Sequence, residues 1–518
     1  MKLVYSITVP LSLCLLITLC FACRSEEVSL KKNGIIVKEY GVKWSINDFD
    51  DLGQRCYDAV GLQASIGIGG FSGYSDFDAI YPWSQIKRCN IITFAGNRPI
   101  ITYEGEPGFA LDGSNGDVFV RIPKFRVKKY IQNGFEYRIV SPTEGRVHSA
   151  FIENGKEIDE IFVSAYEGYI DEQNKLRSIA GVIPTSNVIP LVYLAAAKSN
   201  GPNYSLYDMR CVDAIWTLMA VEYGCRNTNR ILGYGAADFE QPKKEDGPIV
   251  KVEAKGTNEV KVFRPLQRVL EHMPVGSNIT ICRNNNQKDI VAQRKIIDIN
   301  QEKETGLTVI RFDGAPINVD LTCFVGSAAM TTNFCETCGD ETMLQWHTGR
   351  SDFVRNSNML NHVRYRWMEN LVGSLWNYLP DVTFMDLQMY VCPNMSDYQF
   401  HKITYPYMPV GDKFEVNWDN GAYSDTPGAS YWITSLFEDP SANDYPIGRT
   451  YTRSLTSQQG FGGYYYVGDG LCCIATGGGF DHAWRCNMLT HRAWIGPYGQ
   501  WYLYGARMMF KNLSDISK

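Results

Sequence analysis

Two long stretches of this 518-residue chain repeat apolar residues at helical spacing. Elsewhere, short runs rich in Val, Ile, Tyr and Phe are cut off by Gly, Asn and Asp. Such a pattern commits a chain to short antiparallel strands and tight turns, with few helices to cover them. In "DGSNGDVFVRIPKFRVKKY", Val118, Val120 and Ile122 alternate on one face after a turn-forming run. "FEYRIVSP" and "EIDEIFVSAYEGYI" read as further strands. "GVKWSINDFDDLGQRCYDAVGL" mixes a strand start at its Trp with a short helical pattern. The first clear helix spans 206 to 223, where Met209, Val212, Ile215, Trp216, Met219 and Val221 share a face and Ser205 or Asp208 caps the start. A second is predicted in "NMLNHVRYRWMENLVGSLWNYL", from Val363, Trp367, Leu371 and Leu375 at every fourth position.

Between these helices, "GPIVKVEAKGTNEVKVF", "SNITICRN", "VAQRKIIDINQE" and "GLTVIRFDG" read as the strands of an inserted small β-barrel or sandwich. The full division is a signal segment over 1–22, a tether over 23–39 and a β-rich segment over 40–140. A folded domain follows in two parts, 141–245 and 336–512, around the insertion at 246–335. The expected class is α+β, with two helices, short antiparallel sheets and an inserted small all-β domain.

The N-terminus carries Lys2, then the apolar run "LVYSITVPLSLCLLITLCFA", then Cys23. A small residue before a cysteine resembles a bacterial lipoprotein signal, with Cys23 as the lipidated residue. Cys20 stands where Leu is usual in such signals. Glu26 and Glu27 in the polar tether resemble an acidic surface-export signal. A plain cleaved signal peptide and an uncleaved anchor are the alternatives. The expected location is the outer membrane or cell surface, with the membrane reached through the lipid.

A net charge of -6 without a basic block argues against nucleic acid as a partner. Of fifteen cysteines, Cys14, Cys20 and Cys23 fall in or next to the leader, and an exported chain has the option of pairing some of the other twelve. "CETC" (Cys335, Cys338) lacks the second pair a zinc site needs. "GFSGY" around Ser72 misses the nucleophile-elbow spacing by one position. "NWDN" (Asn417, Trp418, Asp419, Asn420) is too few oxygens for calcium. No catalytic residue, metal or cofactor is therefore expected.

What survives is "GGGFDHAWRCNMLTHRAWIGPYGQWYLYGARMMF", residues 477–510, which has neither helical nor strand period. Tyr, Trp and Arg dominate binding hot spots because they bury large area with few rotors and keep a polar tip. Mixed polarity without a period places Asp481, His482, Trp484, Arg485, His491, Arg492, Trp494 and Tyr498 on a loop surface, whereas Trp501, Tyr502 and Tyr504 suit the core.

Several blocks resemble phage tail and receptor-binding proteins with a C-type-lectin-like fold, the fold of formylglycine-generating enzyme. They include "SDFDAIYPWSQIKRCN", "HSAFIENGKEIDEIFVSAYEGY", "KLRSIAGVIP", "LMAVEYGCRNTN" and "VRYRWMENLVGSLWNYLPDV". The closing block is similar to the variable region of targets of diversity-generating retroelements. Gly477, Gly478 and Gly479 open it, and Gly505, Ala506 and Arg507 close it. The resemblance implies a receptor-binding or adhesin-like lipoprotein that takes a protein or glycan ligand, with no enzymatic step. The implied contacts are Phe480, Asp481, His482, Trp484, Arg485, Asn487, His491, Arg492, Trp494, Tyr498, Gln500 and Tyr502. A homo-oligomer fits the same resemblance, since related tail proteins often form trimers. A phage or prophage receptor-binding protein is the alternative. An oxidoreductase of the formylglycine-generating type ranks below it, because Cys472, Cys473 and Cys486 do not match that family's reactive pair.

Overall fold

The structure is a computed structural model that describes residues 31–32, 35–36, 38–48, 51–64, 75–93, 99–232, 249–283, 289–328, 363–414, 428–439, 445–451, 463–468, 470–479 and 486–513. It is mainly β-sheet with few helices. The leader, Cys23, Ser72, Cys335, Cys338 and the "NWDN" run lie outside the described residues.

Three antiparallel or mixed sheets share one large core. The first orders Arg146–Val147, Arg126–Gln132, Phe135–Ser141, Tyr40–Ser45 and Gln54–Tyr57. The second orders Tyr204–Leu206, Met508–Phe510, Glu160–Ser164, Asp117–Pro123, Lys87–Ile92 and Ile100–Tyr103. Each takes strands from both sides of residue 140, so the core runs through that point. In the third, Trp376–Met385 lies between Gln388–Val391 and Leu471–Thr476, and His491–Ile495 lies between Leu471–Thr476 and Gly463–Gly468. Val118, Phe119, Val120 and Ile122 are all buried. The Asp117–Pro123 strand is thus covered on both faces, which alternation alone does not reveal.

Four α-helices are described: α1 (Pro190–Lys198), α2 (Met209–Tyr223), α3 (Thr228–Leu232) and α4 (Leu266–His272). All fifteen residues of α2 are buried, as expected for a helix enclosed on every side. Asp208 is its N-cap, accepting from the Cys211 N–H at 2.8 Å, while Ser205 belongs to a strand. Gly224 ends it in the left-handed region at φ +64°, with Arg55 Cγ 2.9 Å from where a Cβ would stand. The polar residues of α2 are paired inside the core. Asp213 takes Arg138 at 2.7 Å, Lys129 at 2.5 Å and His148 at 3.0 Å, and Arg138 lies 4.3 Å over the Trp216 ring.

The expected helix around Val363–Leu375 is absent. Arg364–Tyr365 and Met368–Glu369 form a hairpin, and Trp376–Met385 is a strand. Arg366 and Trp367 both have positive φ, the hairpin-turn conformation, and Asn370 and Gly373 are left-handed too. Tertiary polar contacts fix this path. Arg366 grips Glu222 through Nε at 2.9 Å and Nη2 at 2.6 Å. Glu167 accepts from Ser374 Oγ at 2.7 Å, the Leu375 N–H at 3.0 Å and Asn370 Nδ2 at 3.3 Å. The apolar repeat there marks burial of an irregular segment. The helical pattern after Trp44 is likewise a strand, Gln54–Tyr57, turned back on Tyr40–Ser45. Asp51 closes that turn by accepting from Ser45 N–H at 2.7 Å and Gly53 N–H at 3.0 Å.

The inserted segment has its own core, including Val260, Ile279, Ile281, Ile296, Ile310 and Phe312. Its five-stranded sheet orders Glu259–Val262, Thr308–Phe312, Ile290–Gln301, Asn278–Arg283 and Cys323–Ala328. It is not all-β, since α4 packs beside the Ile290–Gln301 strand.

Candidate functional site: the C-terminal aromatic face

The closing segment starts from Leu471–Thr476, which pairs with Trp376–Met385 on one side and His491–Ile495 on the other. Gly477 and Gly478 follow at φ +96° and +79°. A Cβ on Gly477 would sit 2.9 Å from the Leu371 carbonyl oxygen, and one on Gly478 would sit 2.7 Å from Cys486 Sγ. These glycines allow close backbone approach. Gly479 then bridges Ser374. Phe480, Asp481, His482, Trp484 and Arg485 lie outside the described residues.

From Cys486 to Ala493 the chain is interior. Asn487 is fully buried, and its side chain accepts from the Leu489 N–H at 2.9 Å and donates to Asn227 Oδ1 at 3.3 Å. His491 and Arg492 were expected on a loop surface. They instead begin a strand paired on both sides and are 0% and 4% exposed. Single-sequence reading missed this because the strand is covered on both faces and so lacks a polar side. Burial lowers the His491 imidazole pKa to about 3, so it is neutral at any physiological pH. Tyr502 is 1% exposed and packs with the core, as does Tyr504.

Arg492 lies over three indole rings, 4.4 Å from Trp494, 5.3 Å from Trp501 and 5.9 Å from Trp376. Trp494 and Trp501 are half-buried and touch at 5.4 Å, while Trp494 Nε1 donates to Tyr504 Oη at 3.1 Å. The turn Gly496–Gly499 closes with the Gly499 N–H donating to the Gly496 carbonyl at 2.9 Å. Its tip presents Tyr498, 72% exposed, with Gln500 half-buried beside it. The structure thus brings Arg492, Trp494 and Trp501 into one stack near the Tyr498 turn, and withdraws Asn487, His491 and Tyr502 into the core. Trp376, which no sequence signal linked to this segment, forms part of the bed under Arg492.

The far end is anchored as firmly. Gly505 pairs with Asn377, and Arg507 is buried, donating to the Ser164 carbonyl at 2.6 Å and to the Glu369 carbonyl. Cys472, Cys473 and Cys486 are buried, and burial pushes the Cys473 thiol well up, opposite to the shift that makes a reactive thiolate. No disulfide joins the ten described cysteines to one another. Among the described residues, no cluster of His, Cys, Asp and Glu is arranged to hold a metal. No known family model and no curated protein sequence matches this chain.

Proposed function

We propose that this chain is a surface-displayed lipoprotein that binds a protein or glycan ligand through its C-terminal aromatic face, on a C-type-lectin-like scaffold diversified by a retroelement. The observation that supports it best is how the 480–503 segment is held. Gly477–Gly479 enters against Leu371 and Ser374, and Gly505–Arg507 leaves through buried hydrogen bonds to Ser164 and Glu369. Between these clamps a guanidinium and two half-buried indoles form a stack, and an exposed Tyr stands on a turn. Preorganised aromatic anchors bind at low entropic cost.

The contact set narrows to Phe480, Asp481, His482, Trp484, Arg485, Trp494, Tyr498 and Gln500, with Arg492 setting the indole stack. The lipid at Cys23 tethers this face outside the membrane. The chain lacking residues 1–23 is to be screened on protein and glycan arrays. Replacing 480–485 with Gly and Ser, combined with Tyr498→Ala, abolishes binding while far-ultraviolet circular dichroism and the melting temperature stay unchanged. Retained binding in that folded variant overturns the assignment.

A further inference from the structure

A cleft of about 780 Å³ opens between the Arg146–Glu157 stretch, the start of α2 and the Pro393–Met408 loop. Its size is in the range of small-molecule sites, roughly 300–1,000 Å³.

Arg210 lies in its floor, 3% exposed, and is held from several sides. Nη1 donates to the Ile152 carbonyl at 2.8 Å, and Nη2 reaches Tyr398 Oη at 2.8 Å, Asp208 at 3.2 Å and Glu153 at 3.3 Å. Its guanidinium stands 5.7 Å over the Tyr445 ring. Lys511 joins the same acids, at 2.9 Å from Asp208 and 3.1 Å from Glu153. Two cations therefore face two carboxylates, and the floor is close to neutral, which disfavours a simple ion as occupant.

Three lining residues nonetheless carry buried polar atoms with no hydrogen-bond partner: Arg210 Nε, Tyr445 Oη and Ser149 Oγ. Tyr445 is 2% exposed. Buried polar atoms of this kind are costly unless a solvent or ligand group meets them. At the mouth, Tyr405 is 93% exposed beside Pro406, and Asn154 and Asn394 flank it. Flat apolar faces alternating with hydroxyl, amide and guanidinium groups match one ligand chemistry. A pyranose ring offers C–H faces for stacking and hydroxyls for bonding.

We infer that this cleft binds a neutral saccharide unit, stacked on Tyr405 with its hydroxyls directed to Tyr445, Ser149 and the two asparagines. The test uses the full chain in a sugar-free detergent, titrated with short manno-, gluco-, galacto- and xylo-oligosaccharides by calorimetry. At least one series binds. Tyr405→Ala, at a side chain too exposed to support the fold, weakens it tenfold or more. Tyr445→Phe, which removes only the hydroxyl, weakens it several-fold with the melting temperature unchanged. Replacing 480–485 leaves this binding intact, which separates the cleft from the C-terminal face. Absence of binding to all four series, or an affinity indifferent to Tyr405→Ala, overturns the inference. So does preferential binding of an extended peptide to the same cleft.

Discussion

Tyr498 stands seven positions after His491, yet the first is 72% exposed and the second 0%. Tyr498 contributes little to the core, so Tyr498→Ala is expected to change stability by under about 0.5 kcal/mol. His491 is bound to the fold in a pH-dependent way. Burial disfavours its charged form and lowers its pKa to about 3, below the unfolded value of about 6.5. The unfolded chain therefore takes up the proton first as pH falls. Stability from this residue is full above about pH 6.5 and drains as pH drops towards the folded value, with about 2 kcal/mol lost by pH 5. Urea denaturation at pH 7 and pH 5 measures it. His491→Gln should remove that share of the acid loss even if its stability at pH 7 is lower. An unchanged difference between the two pH values would place the titration elsewhere.

At the level of elements, α2 was legible because its apolar positions, cap and length agree, and because Asp208 is a side chain that caps well. The Val363–Leu375 segment misled because every fourth residue is apolar for a different reason. It is buried, and its path is bent by the Arg366–Glu222 and Glu167–Ser374 contacts, whose partners lie far off in sequence. The ends of the C-terminal site were readable as Gly477–Gly479 and Gly505–Arg507, whereas the split between its buried and exposed members was not. A strand covered on both faces shows no alternation, and pairing with Gly463–Gly468 and Leu471–Thr476 leaves this one no open edge. The α2 cap also gives a sharp pair of substitutions. Burial would push the Asp208 carboxyl up, but Lys511 and Arg210 beside it hold it well below the ordinary range. Asp381 accepts from the Met209 N–H at 2.8 Å, and burial, then the Asp208 charge, push its carboxyl well above the ordinary range. Asp208→Asn leaves two buried cations short of a counter-charge and should cost about 3–5 kcal/mol. Asp381→Asn keeps the shape of a carboxyl whose charged form burial disfavours, so it should cost well under the Asp208→Asn loss. The pH trends oppose each other. The Asp208 contribution is present above about pH 3.9 and lost as pH falls through its depressed folded value. Asp381 stabilises most below about pH 3.9 and progressively less as pH rises through its raised value, so Asp381→Asn gains on the parent as pH rises. Urea melts at pH 5 and pH 8 check both. Equal losses for the two variants would mean that the carboxyls share one charge state.

At the scale of the molecule, the inserted segment is built to be separable. Its core is distinct from the large one, and its ends meet within its own sheet. Ile249 bridges Phe324, and the Val250 N–H donates to the Cys323 carbonyl at 3.0 Å. A chain that enters and leaves a unit at neighbouring points can host it without reshaping the parent fold. The described contacts across the junction include Gln293 Nε2 to Ser186 Oγ at 3.5 Å and Ile290 against the large core. Neither is a buried charge pair, so their loss should cost the parent only about 1 kcal/mol. Replacing 249–328 with a short Gly and Ser linker is therefore expected to leave the parent folded, with its near-ultraviolet circular dichroism retained after allowance for the aromatics removed. Residues 246–335 made alone should unfold cooperatively in urea, with α4 contributing helical signal. A shortened chain that aggregates or is digested by protease within minutes, beside a fragment with no cooperative transition, would show that the two cores stabilise one another and fold as a single unit.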